Sequence, residues 1–315
     1  MTGARGVENA ASRPRTPSLN LHRLDLVSLS LFCVIARTGS ISKGASLARL
    51  ALGAASKRMV DLEAAVDAKL FDRHSRGVTL TPAGKALQAH ARRILADVDH
   101  LAADLSDFAH GVIGVVRLWA NTSAVTQFLP HDLARFVQQN PGIRIELEEQ
   151  NSDDIVRAVL EGRADLGIFA DRTPPLGLQT VSYRSDQLVV VLPPGHPLGG
   201  DEDIDFERAT DYEFVSLAAG TSLAVRMQDA AEELGRRLRL RIRVRSFDAM
   251  CQMVAAGLGI AVLPEAAVQP LLAAMDLRQV RLRDDWARRR LLVGARNFSA
   301  VPRPVRLLMD CLLDA

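Results

Sequence analysis

The chain has 315 residues, 48% hydrophobic and 24% charged. This is the profile of a soluble globular protein with room for two or three cored domains, and no apolar run approaches the ~20 residues that span a bilayer. Three scattered cysteines, Cys33, Cys251 and Cys311, exclude a disulfide framework or a metal-binding spacing, and they fit a reducing cytoplasm. The formal net charge is only +2, yet residues 1–110 hold 15 Lys+Arg against 10 Asp+Glu while the rest hold 24 against 27. The basic excess sits on the N-terminal third, where a nucleic-acid partner is to be sought.

Residues 1–19 are small, polar and proline-bearing, which predicts a disordered tail. Residues 20–81 read as a compact helical unit ending in a hairpin. The stretch Leu24–Ala36 carries Asp25, Ser28 and Ser30 among its apolar residues and predicts a packed first helix rather than an export signal. Gly39 stops it and Ser40 caps the next, short helix from about Ser42 to Arg49, which buries Ala45 with Ala48 or Leu47. In the helix that follows, Ala55, Met59, Leu62 and Val66 recur at helical spacing and turn one face inward. Its first turns carry Ser56, Lys57 and Arg58 behind the small residues Gly53 and Ala54, a combination suited to a major groove. The acids Asp61, Glu63 and Asp67 come later, away from that end. Leu70-Phe71 and Val78 with Leu80 predict two short strands around Arg73, His74, Ser75, Arg76 and Gly77, a basic wing that reaches phosphates or the minor groove. Ser42, Lys43, Leu52, Gly53, Ser56, Lys57, Arg58, Arg73, His74 and Arg76 are the candidate DNA-contacting residues.

Gly44-Ala45, Ser56-Lys57-Arg58, Leu62-Glu63, Leu70-Phe71, Arg73, Arg76-Gly77-Val78, Leu80-Thr81 and Ala83-Gly84 together resemble the N-terminal half of LysR-type transcriptional regulators. The resemblance implies a winged helix-turn-helix that reads double-stranded DNA. One departure stands out: where the family usually has Ser-Gln-Pro at the start of the reading helix, this chain has Ala51-Leu52-Gly53. Losing the capping serine costs about 1 kcal/mol of helix stability, and the base preference of relatives does not transfer.

Thr81-Pro82 opens a long helix, with threonine as cap and proline at the first helical position. Leu87, Ala91, Ile94, Val98, Leu101, Leu105 and Phe108 then alternate spacings of four and three, the heptad seam of a coiled coil. Residues 82–110 are thus a dimerising linker helix, and a dimer presents two reading helices to a palindrome-like site. His90, His100 and His110 are ten apart and do not converge on a metal.

From Gly111 onward strands and helices alternate. Val115–Ala120, Ile143–Glu148, Leu166–Phe169, Leu188–Leu192, Leu240–Val244, Ile260–Leu263 and Leu291–Gly294 read as strands. Val125–Gln139, Ser152–Glu161, Ser222–Arg237, Asp248–Ala256 and Pro302–Leu313 read as helices. The fold class is α/β with a largely parallel sheet. Asn140-Pro141-Gly142, the run Leu160–Ile168, Pro193 with His196-Pro197-Leu198, Val254–Ile260 and Leu263-Pro264 resemble the sensing domain of LysR-type regulators, itself similar to periplasmic solute-binding proteins. The resemblance implies an effector-sensing domain over residues 111–315. It would have two subdomains, about 111–185 with 289–315 and about 186–288, joined by two crossover strands around a ligand cleft.

Ligands in such folds sit at strand ends near helix N-termini. Asn121-Thr122-Ser123 and Gly220-Thr221-Ser222 occupy matched places and offer hydroxyls and free N–H groups to a small organic anion. Ordinary helix capping would use the same residues. Ala170-Asp171 and Phe247-Asp248 are further candidate cleft walls, and Arg288-Arg289-Arg290 reads as a solvated corner. No HExxH, Gly-x-Ser-x-Gly, phosphate loop or C-x-x-C is present, so neither an enzyme nor a cofactor is expected. The reading is a cytoplasmic homodimeric or homotetrameric regulator that binds DNA and a small effector. RNA polymerase is a further candidate partner, and a membrane is not. The rivals are a two-lobed solute-binding or enzyme module with a merely dimerising N-terminal domain, and an architectural DNA binder with a ligand-free C-terminal half.

Overall fold

A computed structural model describes residues 24–109 and 114–314. The expected tail over residues 1–19, together with His110 and Gly111, lies outside them. Two compact units divide the chain, residues 1–98 and 99–315, and the division falls inside one long helix.

The first unit begins with α1 (Leu26–Thr38), whose cap Asp25 accepts from the Ser28 N–H at 2.9 Å. Gly39 closes the helix at φ 64°, and Ser40 caps α2 (Ile41–Leu47) by accepting from the Lys43 N–H at 3.3 Å. α1 and α2 cross closely because Gly44 has no side chain: a Cβ there would lie 2.4 Å from Ile35 Cγ1. Helix α3 (Leu52–Ala65) turns Ala55, Met59 and Leu62 into the core formed by Leu29, Phe32, Ile35 and Ala45. Val66, at its C-cap, is half-buried. Of the two alternatives on α2, Ala48 packs on this core and Leu47 stays exposed.

Glu63 is the unexpected member of α3. It is buried, and its carboxylate accepts from the Leu70 and Phe71 N–H groups at 2.9 and 3.4 Å and from Lys69 Nζ at 2.7 Å. Burial alone would raise its pKa, but these three donors outweigh it and hold the group below the usual carboxylate range. The helix is thereby pinned to the hairpin of β1 (Phe71–His74) and β2 (Gly77–Leu80), which pair antiparallel from Phe71↔Leu80 to His74↔Gly77. Gly77 sits at φ 140° with its Cα against the Gly39 carbonyl, where a Cβ would come within 2.2 Å of the oxygen. The Val78 N–H donates to that carbonyl at 2.9 Å, so the wing is docked on the end of α1.

Thr81 accepts from the Gly84 N–H at 3.0 Å and donates to Lys69 O at 2.6 Å, opening α4 (Pro82–Ala109). The seam positions Leu105 and Phe108 lie outside the described side chains, and the expected seam divides in two over the rest. Leu87 and Ala91 pack into the unit's own core, Ala91 completely, whereas Ile94 and Leu101 are exposed. The intramolecular core therefore takes up the first two seam positions.

The second unit starts with β3 (Gly114–Ala120), α5 (Thr122–Gln127), α6 (Leu129–Gln139), β4 (Ile143–Glu149), α7 (Ser152–Glu161) and β5 (Leu166–Ala170). The single helix expected over 125–139 is broken at Phe128, where Pro130 offers no N–H to continue the ladder. β6 (Gln179–Leu192) is a long strand. β7 (Asp203–Ile204), α8 (Phe206–Ala209), β8 (Glu213–Leu217), α9 (Ser222–Glu233), β9 (Arg239–Val244), α10 (Phe247–Ala255), β10 (Ala261–Pro264), α11 (Glu265–Leu272) and β11 (Arg278–Leu282) follow. β12 (Arg288–Ala295) and α12 (Arg303–Leu313) then return to the first elements.

The main sheet runs β4-β3-β5-β12-β6-β11-β7, with β10 also on β6. β3 is parallel to β4 and β5, and β8 is parallel to β9. The largely parallel expectation fails at the middle: β12 is antiparallel to β5 and β6, and β6 is antiparallel to β10 and β11. These two strands are the crossovers. The first half of β6 pairs with β12, and its second half pairs with β10 and β11. Each subdomain has its own core, one built on Val116, Leu118, Phe136, Ile168, Val293 and Leu308, the other on Val190, Phe206, Phe214, Met250 and Val262. Between Tyr183 and α6, Asp132 is buried and accepts from Tyr183 Oη at 2.6 Å and Arg184 at 2.9 Å, tying α6 to β6. β9 alternates outward Arg239, Arg241 and Arg243 with inward Leu240, Ile242 and Val244, which keeps an edge strand charged.

Candidate nucleic-acid interface and ligand cleft

The first turn of α3 has extended backbone at Ala51 (φ −65°, ψ 143°), the geometry of a cap, but no side chain to accept a hydrogen bond there. Ala51, Leu52, Gly53 and Ala54 are all exposed, followed by half-buried Ser56 and exposed Lys57. Ser42 and Lys43 are exposed on α2, as are Arg73, His74, Ser75 and Arg76 on the wing. Lys43, Lys57, Arg73 and Arg76 form no ion pair among the described residues, so their charges are available to phosphates.

Two of the expected contacts have other work. Arg58 reaches Asp25 Oδ1 at 3.3 Å and Ser28 Oγ at 3.2 Å, so it holds α3 to the capped end of α1. Burial opposes ionisation of Asp25, but the Ser28 hydroxyl and N–H and the Arg58 charge outweigh it and lower its pKa. His74 Nδ1 accepts from the Arg76 N–H at 3.3 Å and closes the wing turn. Leu52, at 53% exposure, and Leu47, at 62%, are large apolar side chains in water that flank the turn between α2 and α3.

In the second unit the two expected N-terminal clusters come together. Asn121, Thr122 and Ser123 line a narrow gap with Ser152, Thr221 and Ser222. Their side chains are largely spent within the chain. Asn121 accepts from the Ala124 N–H at 3.0 Å and Thr221 from the Ala224 N–H at 3.3 Å, the ordinary capping role. Thr122 Oγ1 donates to Glu149 at 2.6 Å. Ser123 is buried and accepts from Arg289 at 3.2 Å.

Next to this gap lies a cavity of about 270 Å³. Ser152, Ala170 and Asp171 form its wall on one subdomain, and Gly220, Ser222 and Arg226 on the other. Gly220 and Ser222 thus face it. Phe247 does not: it is 3% exposed inside the second core, and Asp248 beside it lines neither cavity.

The charged groups of the cavity include three arginines outside the expected set: Arg172, Arg226 and Arg289. Arg289 overturns the solvated corner. It is 3% exposed, and its guanidinium is forked onto the equally buried Asp186, with Nε to Oδ1 at 2.8 Å. Arg288 and Arg290 flank it pointing outward, since strand neighbours alternate. Arg226 is half-buried. Its Nε donates to Trp286 O at 2.5 Å, another nitrogen donates to Arg288 O at 3.4 Å, and its carbon lies 5.9 Å from the Trp286 ring centre. Carbonyls fix its position without cancelling its charge. Burial, followed by the charge of Arg172, holds its pKa below the ordinary arginine value. The signal for it was present in α9, where Ser222, Arg226 and Asp229 recur at helical spacing and all face the cavity. Asp153, Asp171 and Asp229 supply the opposite sign at the rim.

A basic helix-turn-helix with a wing, followed by two subdomains enclosing a charged cavity, defines a DNA-binding regulator with a ligand-sensing half. Residues 26–85 match the family model described as bacterial regulatory helix-turn-helix protein, lysR family, and residues 109–315 match the LysR substrate binding domain. The chain belongs to the LysR family of bacterial regulators. It is 27% identical over 266 residues, 83% of this chain and 87% of the relative, to the HTH-type transcriptional activator CmpR of Synechocystis. The structure of full-length CbnR complexed with its target DNA superposes with a TM-score of 0.61 at 18% identity, covering 92% of this chain and 99% of that one. The regulatory domain of Synechocystis CcmR in complex with 2-PG superposes at 0.59 with 25% identity, over 64% of this chain and 96% of that one. No helix among the described residues is long and apolar enough to cross a membrane.

Proposed function

We propose that the protein is a sequence-specific transcriptional regulator governed by a small organic anion held in the cavity between the two effector subdomains. The observation that carries the anion reading is Arg226: a half-buried guanidinium, tethered by carbonyl oxygens alone, beside Arg172 and facing a 270 Å³ space. Asp153, Asp171 and Asp229 also line the cavity, but Arg226 is ion-paired with none of them among the described residues, and a charge-assisted, two-pronged contact to it suits a carboxylate or phosphate. The DNA reading rests on exposed Ser42, Lys43, Lys57, Arg73 and Arg76 and half-buried Ser56, carried by α2, the first turns of α3 and the wing. The CcmR regulatory domain, in complex with 2-PG, has this fold, which supports a small-molecule effector here.

The mechanism is one of binding alone. Ligand in the cavity touches Ala170–Arg172 from one subdomain and Gly220–Arg226 from the other, so it favours whichever relative placement of the two best contacts it. Exposed Ile94 and Leu101 on α4 offer the seam for a homodimer, and two reading helices then meet a palindrome-like site. The site of action is the cytoplasm, where the DNA is.

Thermal unfolding of the full-length protein against a panel of small carboxylates and phosphorylated acids tests the ligand class. A true effector raises the midpoint with concentration, and Arg226→Gln removes the rise. A panel that shifts nothing, or a rise that survives Arg226→Gln, would overturn the anion assignment.

A further inference from the structure

The first turn of the reading helix carries no hydrogen-bonding side chain. Ala51, Leu52, Gly53 and Ala54 are exposed in succession, and a Cβ at Gly53 would meet nothing within 4 Å. Leu52 stands out of this small-residue surface at 53% exposure, outside the unit's hydrophobic core. Lys43, Lys57, Arg73 and Arg76 of the same unit are exposed and form no ion pair among the described residues. A leucine in that setting meets a polyanion, not an apolar protein surface. On the major-groove edge of B-DNA, the feature an aliphatic side chain can read is the 5-methyl group of thymine; every other mark there is a hydrogen-bond donor or acceptor. Flanking small residues let the helix approach until that contact is made.

We propose that Leu52 is a specificity-determining residue that reads a thymine methyl group in each half of the operator. The proposal rests on the DNA-binding reading above and adds to it the base and the chemical group recognised. Desolvating one methyl-sized apolar group is worth about fourfold in affinity. Lys57 and the wing arginines contribute affinity without depending on the methyl group.

The test uses operator fragments recovered by genomic selection with the full-length protein. Each thymidine is replaced in turn by deoxyuridine, which lacks only the methyl, and binding is read by fluorescence anisotropy at ~150 mM salt. The expected result is one position per half-site where uracil weakens the wild type about fourfold, with no difference between thymine and uracil there for Leu52→Ala. Because Leu52 is exposed, Leu52→Ala should melt with the wild type in circular dichroism. Equal binding of every uracil operator by the wild type would overturn the proposal, as would a uracil penalty that persists undiminished in Leu52→Ala. If no fragment is enriched at all, the sequence-specific reading itself falls with it, and that outcome is distinct from enrichment without methyl sensitivity.

Discussion

Removing Arg289 should be among the most damaging single changes in the effector unit. The Arg289 and Asp186 side chains are each 2% exposed, and they bridge the two crossover strands β12 and β6. Arg289→Leu leaves the Asp186 carboxylate with one donor, Gln127 Nε2 at 3.2 Å, and takes a partner from Ser123. An orphaned buried carboxylate costs about 3–5 kcal/mol, whereas replacing a whole buried pair by apolar groups of similar size is often neutral. Arg289→Leu combined with Asp186→Leu should therefore recover most of the loss. Urea unfolding followed by tryptophan fluorescence isolates the relevant unit, because both tryptophans, Trp119 and Trp286, belong to it. A single-variant loss below ~1 kcal/mol would mean that water reaches the pair, as for a surface ion pair. A double variant no better than the single would mean that packing, not charge, sets the cost. Either result refutes the reasoning.

The carboxylate of Glu63, held low by its donors despite burial, stabilises the first unit above the ordinary glutamate value of about 4.3 and loses that contribution as pH falls through the lower folded value. Glu63→Gln should flatten the acid limb of hydrogen-exchange protection in α3; an unchanged limb refutes the assignment. Ala51→Ser supplies the missing cap on backbone already in cap geometry and should stabilise α3 by about 1 kcal/mol, seen as slower exchange at its first amides. Gly77→Ala places a Cβ 2.2 Å from the Gly39 carbonyl at a positive φ; it should cost about 1–3 kcal/mol and loosen the wing, lowering DNA affinity in anisotropy. Ile94→Glu with Leu101→Glu puts charge on two exposed seam positions and should shift the sedimentation coefficient to the monomer; an unchanged coefficient would refute the seam.

What could be read in advance was local. Ala55, Met59 and Leu62 declare the inner face of α3 by spacing alone, and Gly39-Ser40 declares the stop and the next start. The burial of Glu63 does not show in the helix's own spacing, because its partners, the Leu70 and Phe71 N–H groups, arrive from beyond the helix end. The heptad seam was legible as a pattern, but a pattern does not say which surface covers it, and the unit's own core covers Leu87 and Ala91. Arg289 shows the same limit more sharply. Three successive arginines look solvated until the strand is extended to Arg288; alternation then sends the middle one inward, and only the tertiary pairing of β12 with β6 supplies Asp186 to receive it. The cleft was found through its caps, yet most of those cap oxygens are already bound by the chain, and the cavity's character comes from arginines on α9 and β12. Arg289 lines that cavity, joins both crossovers and donates to Ser123 at the start of α5. A ligand that engages Arg226 therefore sits beside the one buried charge pair among the described residues that spans the strands connecting the subdomains, which is where a change in their relative placement must be absorbed.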